Sequence, residues 1–142
     1  MDANKIKQLE RPLKLDFFGE DTITVWYRPG ATSYNWHENK SAEFRTMADK
    51  LASIAERRNA KDVTSDDKER LDKELSELDV QIKQYIGAII VELVSKWDIT
   101  VDGEPLPVTL ENYLEWIPTP FGEYMWEEIK KDSRPKSKTS ES

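Results

Sequence analysis

The chain has 142 residues and a formal net charge of −7, and charged residues make up 35% of it. This length suits one domain with a substantial buried core, and the negative charge argues against a nucleic-acid partner. Because the sequence has no cysteine, disulfides, thiolate zinc sites and cysteine nucleophiles are excluded. It also has no apolar run long enough to span a bilayer and no secretory signal, so we expect a protein that stays in the cytoplasm.

The first predicted element is a β-hairpin over about residues 13–28. Apolar residues alternate with others on both sides of a turn near Gly19, at Leu13, Leu15 and Phe17 before it and at Ile23, Val25 and Tyr27 after it. Phe18 and Trp26 then point to the opposite face. We expect the hairpin to lie on the helices of its own chain, the alternative being that its second aromatic face meets another chain.

Two long helices follow a turn-rich connector over residues 28–40. The first covers about 41–58 and has one apolar stripe at three- and four-residue steps, formed by Phe44, Met47, Ala48, Leu51, Ile54 and Ala55. The second covers about 65–97, with Thr64 or Ser65 placed to cap its N-terminus. The two apolar faces predict an antiparallel helical hairpin, and pairing of the long helix with another chain is the alternative.

The stretch WDITVDGEPLPVT, residues 97–109, is compatible with either a calcium loop or a stiff connector. Oxygen-bearing residues and a glycine fall where an EF-hand loop needs them, at Asp98, Thr100, Asp102 and Gly103. However, Thr109 occupies the position of the essential glutamate, and Pro105 and Pro107 stiffen the loop. We therefore predict a connector with a tight turn at Asp102 and Gly103, Leu106 and Val108 docked on the core, and Trp97 beneath it.

Two short helices and a tail complete the predicted fold. Thr109 caps a helix over about 110–117 that Pro118 ends, and Thr119 caps another over about 120–131. Residues 132–142 are polar and we expect them to be disordered. The sequence thus predicts one globular domain, residues 1–131, that is mainly α with a small N-terminal β-hairpin (α+β).

The sequence offers little for catalysis. His37 is the only histidine and is predicted to be solvated in a loop, with Ser33 and Ser41 as possible partners but no elbow motif around either. Glu123 and Glu127 share a helix face, but we expect that helix to be too exposed to separate their pKa values. We predict no enzyme, no cofactor, no metal and no small-molecule substrate.

Large aromatic residues are the most distinctive feature of the composition. The chain has five tryptophans and five tyrosines, which favour interface anchors because they bury much area at little entropic cost. The candidate partner-binding residues are Phe18, Trp26, Tyr34, Trp36, Trp116 and Trp126. The balance favours a binding protein over an enzyme.

Several short motifs resemble a known family when taken together in order. They are ITVWYRPGA after the hairpin, a tryptophan-aspartate pair in VSKWDI, the acidic turn and Pro-Leu-Pro of DGEPLPVT, and the capped helix of IPTPFGEYMWEEI. From about Leu13 to Lys131 the chain resembles the tail assembly chaperones of long-tailed bacteriophages with siphovirus morphology. None of these motifs is catalytic.

The resemblance implies a non-enzymatic protein of the host cytoplasm that binds the tape measure protein, helps to recruit tail tube subunits, and is absent from the mature virion. The long tape measure protein and the major tail tube protein would be its partners, with self-association possible and no membrane or nucleic acid involved. The family also implies a longer, frameshifted form, for which the tail from Asp132 would suit the junction. The alternatives are a head-tail connector or other minor virion structural protein and, in another class, a small bacterial enzyme or calcium-binding module.

Overall fold

The computed structural model of the protein describes residues 2–7, 9–16, 19 and 21–133. Its helices are α1 (Ala3–Lys7), α2 (Tyr34–Arg58), α3 (Ser65–Leu93), α4 (Leu110–Trp116) and α5 (Thr119–Ser133). Its strands are β1 (Arg11–Leu15), β2 (Ile23–Tyr27), β3 (Val94–Trp97), β4 (Thr100–Val101) and β5 (Glu104–Pro105). The predicted α+β class, with an N-terminal hairpin, a long central helix and short C-terminal helices, is confirmed.

The predicted hairpin is part of a three-stranded antiparallel sheet in the order β1-β2-β3. Leu13 lies opposite Val25, and Val25 lies opposite Trp97. The prediction that the long helix continues to residue 97 is therefore wrong, because residues 94–97 form β3. This segment pairs with β2 instead of continuing α3, and Val94, a β-branched residue, adopts an extended conformation at the end of the helix.

The first long helix begins earlier than the apolar periodicity indicates. Ser33 caps it by accepting a hydrogen bond from the Trp36 backbone N–H at 3.1 Å, so α2 starts at Tyr34 rather than Ser41. The prediction that residues 34–40 belong to a turn-rich connector is corrected accordingly. The polar first turns of α2 lack the apolar stripe that marks the rest of the helix, which is why the pattern failed there.

The predicted helical hairpin is confirmed, with α2 packed along α3. Thr64 caps α3 by accepting a hydrogen bond from the Asp67 backbone N–H at 3.1 Å. Near the loop, Arg58 pairs with Asp72 at 2.9 Å, whereas at the far end the Tyr85 hydroxyl lies 3.2 Å from the carbonyl oxygen of Lys40. These two contacts show that α2 and α3 are antiparallel.

The C-terminal helices complete the core rather than lying exposed on the surface. Both pack on α3, and α5 buries Phe121, Met125, Trp126 and Ile129. The helix α5 ends at Ser133, two residues beyond the predicted boundary at residue 131. Asp132 connects this helix to the sheet, because it accepts a hydrogen bond from the Tyr27 hydroxyl and forms an ion pair with Arg11 at 3.3 Å. Residues 134–142 of the predicted tail lie outside the described residues.

Candidate protein-binding site

The segment over residues 98–109 is held by the sheet and the core. The Asp98 carboxylate accepts a hydrogen bond from the Thr24 backbone N–H at 2.9 Å, and this bond connects the start of the segment to the residue next to Ile23 on β2. The tight turn predicted at Asp102 and Gly103 is confirmed, since both have positive φ and link β4 to β5. Trp97 donates its indole N–H to the carbonyl of Leu106 at 2.5 Å, which fixes the connector to the end of α3 and β3.

The acidic residues of this segment do not converge. In the ranges that the structure describes, no group of three acidic or histidine side chains is arranged to hold a metal ion. Likewise, no helix in the described part of the chain is long and apolar enough to cross a membrane.

The prediction of a solvated loop histidine is wrong. His37 lies in the first turn and a half of α2 and is only 5% exposed. Its Nε2 lies 3.0 Å from the Thr32 hydroxyl oxygen, and its ring meets Trp36 edge-on with 5.0 Å between centroids. The imidazole thus joins the start of α2 to the turn before it. The hydroxyls of Ser33 and Ser41 are engaged elsewhere, by the α2 cap and by Lys130.

Four of the six predicted anchor residues reach solvent. Tyr34 is 62% exposed and Trp116 is 48% exposed. Trp36 is half-buried, with the Lys40 ammonium 5.7 Å from its ring centroid. Trp26 is also half-buried on the outer face of the sheet, where the ammonium group of Lys96 lies 4.7 Å from its ring centroid. Two of these residues, Tyr34 and Trp36, lie in the first turn of α2, whereas Trp26 lies on β2 and Trp116 at the end of α4.

The other two predicted anchors do not contribute exposed surface that the structure describes. Phe18 lies outside the described residues. Trp126 is only 4% exposed, so its assignment as a surface anchor is corrected. It fills the space between α2 and α5, because it is the residue on the inner face of α5 that meets Phe44.

An open groove lies between α2 and α5, next to several of these aromatic residues. We call it the α2–α5 groove; its volume is about 710 Å³ and it is lined by residues 41–48 of α2 and 120–131 of α5. On α2 the lining residues are Ser41, Phe44, Arg45 and Ala48, a spacing that places them on one helix face. Two helices therefore form its sides.

Aromatic and apolar side chains form much of the surface of the groove. Phe44, which is half-buried, packs edge-on against the buried Trp126 with the two ring centroids 6.0 Å apart, and Ala48, Pro120 and Tyr124 extend the apolar surface toward the start of α5. At the other end Lys130 closes the gap, since its ammonium lies 3.0 Å from the Ser41 hydroxyl oxygen. The helices are thus joined at one end, with an apolar surface open to solvent along the groove.

Charged side chains border this apolar surface on both helices. Within α5, Lys130 pairs with Glu127 at 3.2 Å, and its ammonium lies 4.9 Å from the Trp126 centroid. Among the residues that the structure describes, Glu123 on α5 and Arg45 on α2 form no ion pair. Partial burial raises the pKa of the Glu123 carboxyl, although the side chain still reaches solvent.

Sequence reasoning identified Phe44 and Ala48 only as members of a core stripe. A stripe shows which face of α2 is apolar, but not how much of that face a neighbouring helix leaves open. Here an open groove lies between α2 and α5, and it could not be read from the sequence of either helix alone. Comparison with known proteins adds no assignment, since no family profile, curated protein or solved structure matches this chain.

Proposed function

We propose that this protein is a tail assembly chaperone of a long-tailed bacteriophage. It acts in the host cytoplasm, where it binds the tape measure protein and helps to recruit tail tube subunits around it. The single observation that carries the proposal is the α2–α5 groove, because an apolar surface between two helices is the shape that accepts an amphipathic client helix. The order of short motifs along the chain supplies the link to the phage family.

The dimensions of the groove match a short helical segment. Residues 120–131 span roughly 16 Å at about 1.5 Å per residue, which accommodates about three turns of a client helix. Each fully buried aliphatic or aromatic side chain contributes about 1.5–3 kcal/mol, and the loss of freedom on association offsets much of the sum. A short contact of this kind gives weak, reversible binding, which suits a chaperone that leaves its client.

Blocking the groove tests the proposal. Ala48→Arg places a long charged side chain on the groove face of α2, and Ala52→Arg makes the same change one turn further along at an exposed position outside the groove. Both variants retain good helix propensity and should remain folded. Their circular dichroism spectra and urea midpoints establish this before any binding is compared.

The assay is co-expression with the tape measure protein encoded beside this gene, followed by affinity purification of the chaperone. We expect the wild-type protein and Ala52→Arg to retain the tape measure protein, and Ala48→Arg to lose it. If the wild-type protein neither co-purifies with the tape measure protein nor improves its solubility, the proposed function is wrong.

A further inference from the structure

We propose that the α2–α5 groove selects an amphipathic helix with a basic row on one side of its apolar stripe and an acidic row on the other. The basic row lies against α5 and the acidic row against α2. This inference rests on the proposed function, since it specifies the chemistry of the client segment. It adds a direction of binding that the apolar surface alone does not impose.

The argument begins with the two sides of the groove, which carry unlike unpaired charges. Glu123 lines the groove from α5, and Arg45 lines it from α2. Neither has an ion-pair partner within the described ranges, whereas the lysines of the groove are paired along α5, Lys130 with Glu127 and Lys131 with Glu128. A bound segment therefore meets one uncompensated negative charge and one uncompensated positive charge across the apolar surface.

The position of Glu123 in the groove favours a cation on the α5 side, although this residue is exposed to solvent. The raised pKa of the Glu123 carboxyl reflects loss of hydration, so the carboxylate gains more from a nearby cation than a fully hydrated group would. An acidic side chain of the client placed there would be repelled and would remove still more water from both carboxylates. The Arg45 guanidinium has the opposite preference and favours a carboxylate on the α2 side.

A helix is the occupant that fits the geometry of the groove. Both sides are helical faces, on which Phe44 and Ala48 and, across the gap, Pro120 and Tyr124 are each four residues apart. Ridges and gaps at these steps receive side chains of another helix. The strands β1, β2 and β3 do not line the groove, so an extended client would have no strand edge there to pair with.

The test is a charge-reversal cycle with a designed amphipathic helical peptide that has one lysine row and one glutamate row. Binding to the wild-type protein, Arg45→Glu, Glu123→Lys and the double variant is measured by fluorescence titration. We expect each single reversal to raise Kd about three- to tenfold, because one side then repels the peptide in either direction. The double variant should bind within about twofold of wild type, since the peptide can turn round.

The direction of the peptide supplies an independent readout. A nitroxide at the peptide N-terminus should broaden amide signals at one end of the groove in the wild-type protein and at the other end in the double variant. Glu56→Lys reverses an exposed charge on α2 outside the groove and controls for the net charge of −7. This control should change Kd by less than about twofold.

Three outcomes would overturn the inference: a double variant that binds no better than either single variant, an unchanged peptide direction, or an equal loss of affinity in Glu56→Lys. The inference would also fail if the free protein sediments as a dimer and the peptide dissociates that dimer. In that case the groove would hold a second copy of the chain. If the cycle holds but the tape measure protein does not co-purify, only the proposed function fails. If Ala48→Arg loses the tape measure protein but both charge-reversal variants bind it as well as the wild type does, only this inference fails.

Discussion

Tyr113 lies fully buried where α3, α4 and α5 meet, and Gly122→Ala tests this packing. A Cβ at position 122 would lie 2.9 Å from the Tyr113 Cζ and closer still to its hydroxyl oxygen. Overpacking of this kind typically costs about 1–3 kcal/mol and sometimes more, while replacing glycine by alanine in a helix returns about 1 kcal/mol. Because the added Cβ would lie so close to the hydroxyl oxygen, the cost should fall at the upper end of this range, which leaves a net loss of about 2 kcal/mol in the free energy of unfolding. At an unobstructed helix site the same substitution would increase stability.

Tyr113→Phe provides the second arm of the experiment. The Tyr113 hydroxyl has no hydrogen-bond partner among the described residues, and burial, followed by the Glu123 charge, raises its pKa. Because an unpaired buried polar group costs about 1–3 kcal/mol, this substitution should leave the protein equally or more stable. It should also reduce the cost of Gly122→Ala, since the closest atom is removed.

Gly87→Ala is the matched control for the cycle. A Cβ at position 87 would meet the Tyr113 ring itself, 2.6 Å from Cδ1, so Tyr113→Phe should not relieve it. Urea unfolding followed by circular dichroism measures all the variants, and a loss of about 2 kcal/mol lowers the midpoint by on the order of 1 M. If Gly122→Ala stabilises the protein, or if Tyr113→Phe relieves both alanine variants equally, the packing described at Tyr113 is wrong.

Three further predictions use the same unfolding assay or simple spectroscopy. Trp126→Ala should cost about 3–5 kcal/mol, whereas Trp116→Ala should change stability by less than about 0.5 kcal/mol; similar losses would contradict their difference in burial. Asp98→Ala should lower the free energy of unfolding by about 1–3 kcal/mol, because the hydrogen bond from Thr24 is lost. Calcium should leave the melting temperature of the wild-type protein unchanged, and a calcium-dependent rise would indicate a metal site. Burial raises the pKa of Tyr27 and Tyr85 in the folded protein, and a hydrogen bond to a carboxylate is the next cause. As the pH rises above about 10, these tyrosines therefore lose their protons in the unfolded state before they do so in the folded state. The free energy of unfolding should fall over that range. Replacing both by phenylalanine should flatten that fall, and an unchanged slope would count against this cause.

Local signals in the sequence were sufficient where they agreed with the tertiary structure. The Thr64 cap and the long apolar stripe located α3, and the Asp102-Gly103 pair located the turn between β4 and β5. Residues 94–97 were assigned wrongly because their apolar pattern continues that of the helix, and pairing with β2 decides the outcome. Pairing of this kind is a tertiary effect that overrides local propensity.

The candidate site was less accessible from the sequence for a related reason. The prediction of a binding protein rested on aromatic content, which did not distinguish Trp126, which is buried, from Trp116, which is exposed. Trp126 is buried because α5 packs on α3 and brings this residue against Phe44 of α2, and neither contact can be read from the sequence of α5 alone. The buried position of His37 was missed because the cap at Ser33 extends α2 through polar residues that lack periodicity.

The most direct test of the central claim is amide hydrogen exchange of the complex between this protein and the tape measure protein. Binding in the α2–α5 groove predicts slower exchange in residues 41–48 and 120–131, with little change in β1, β2 and β3. A complex that protects the sheet and leaves both groove segments unchanged would contradict the account.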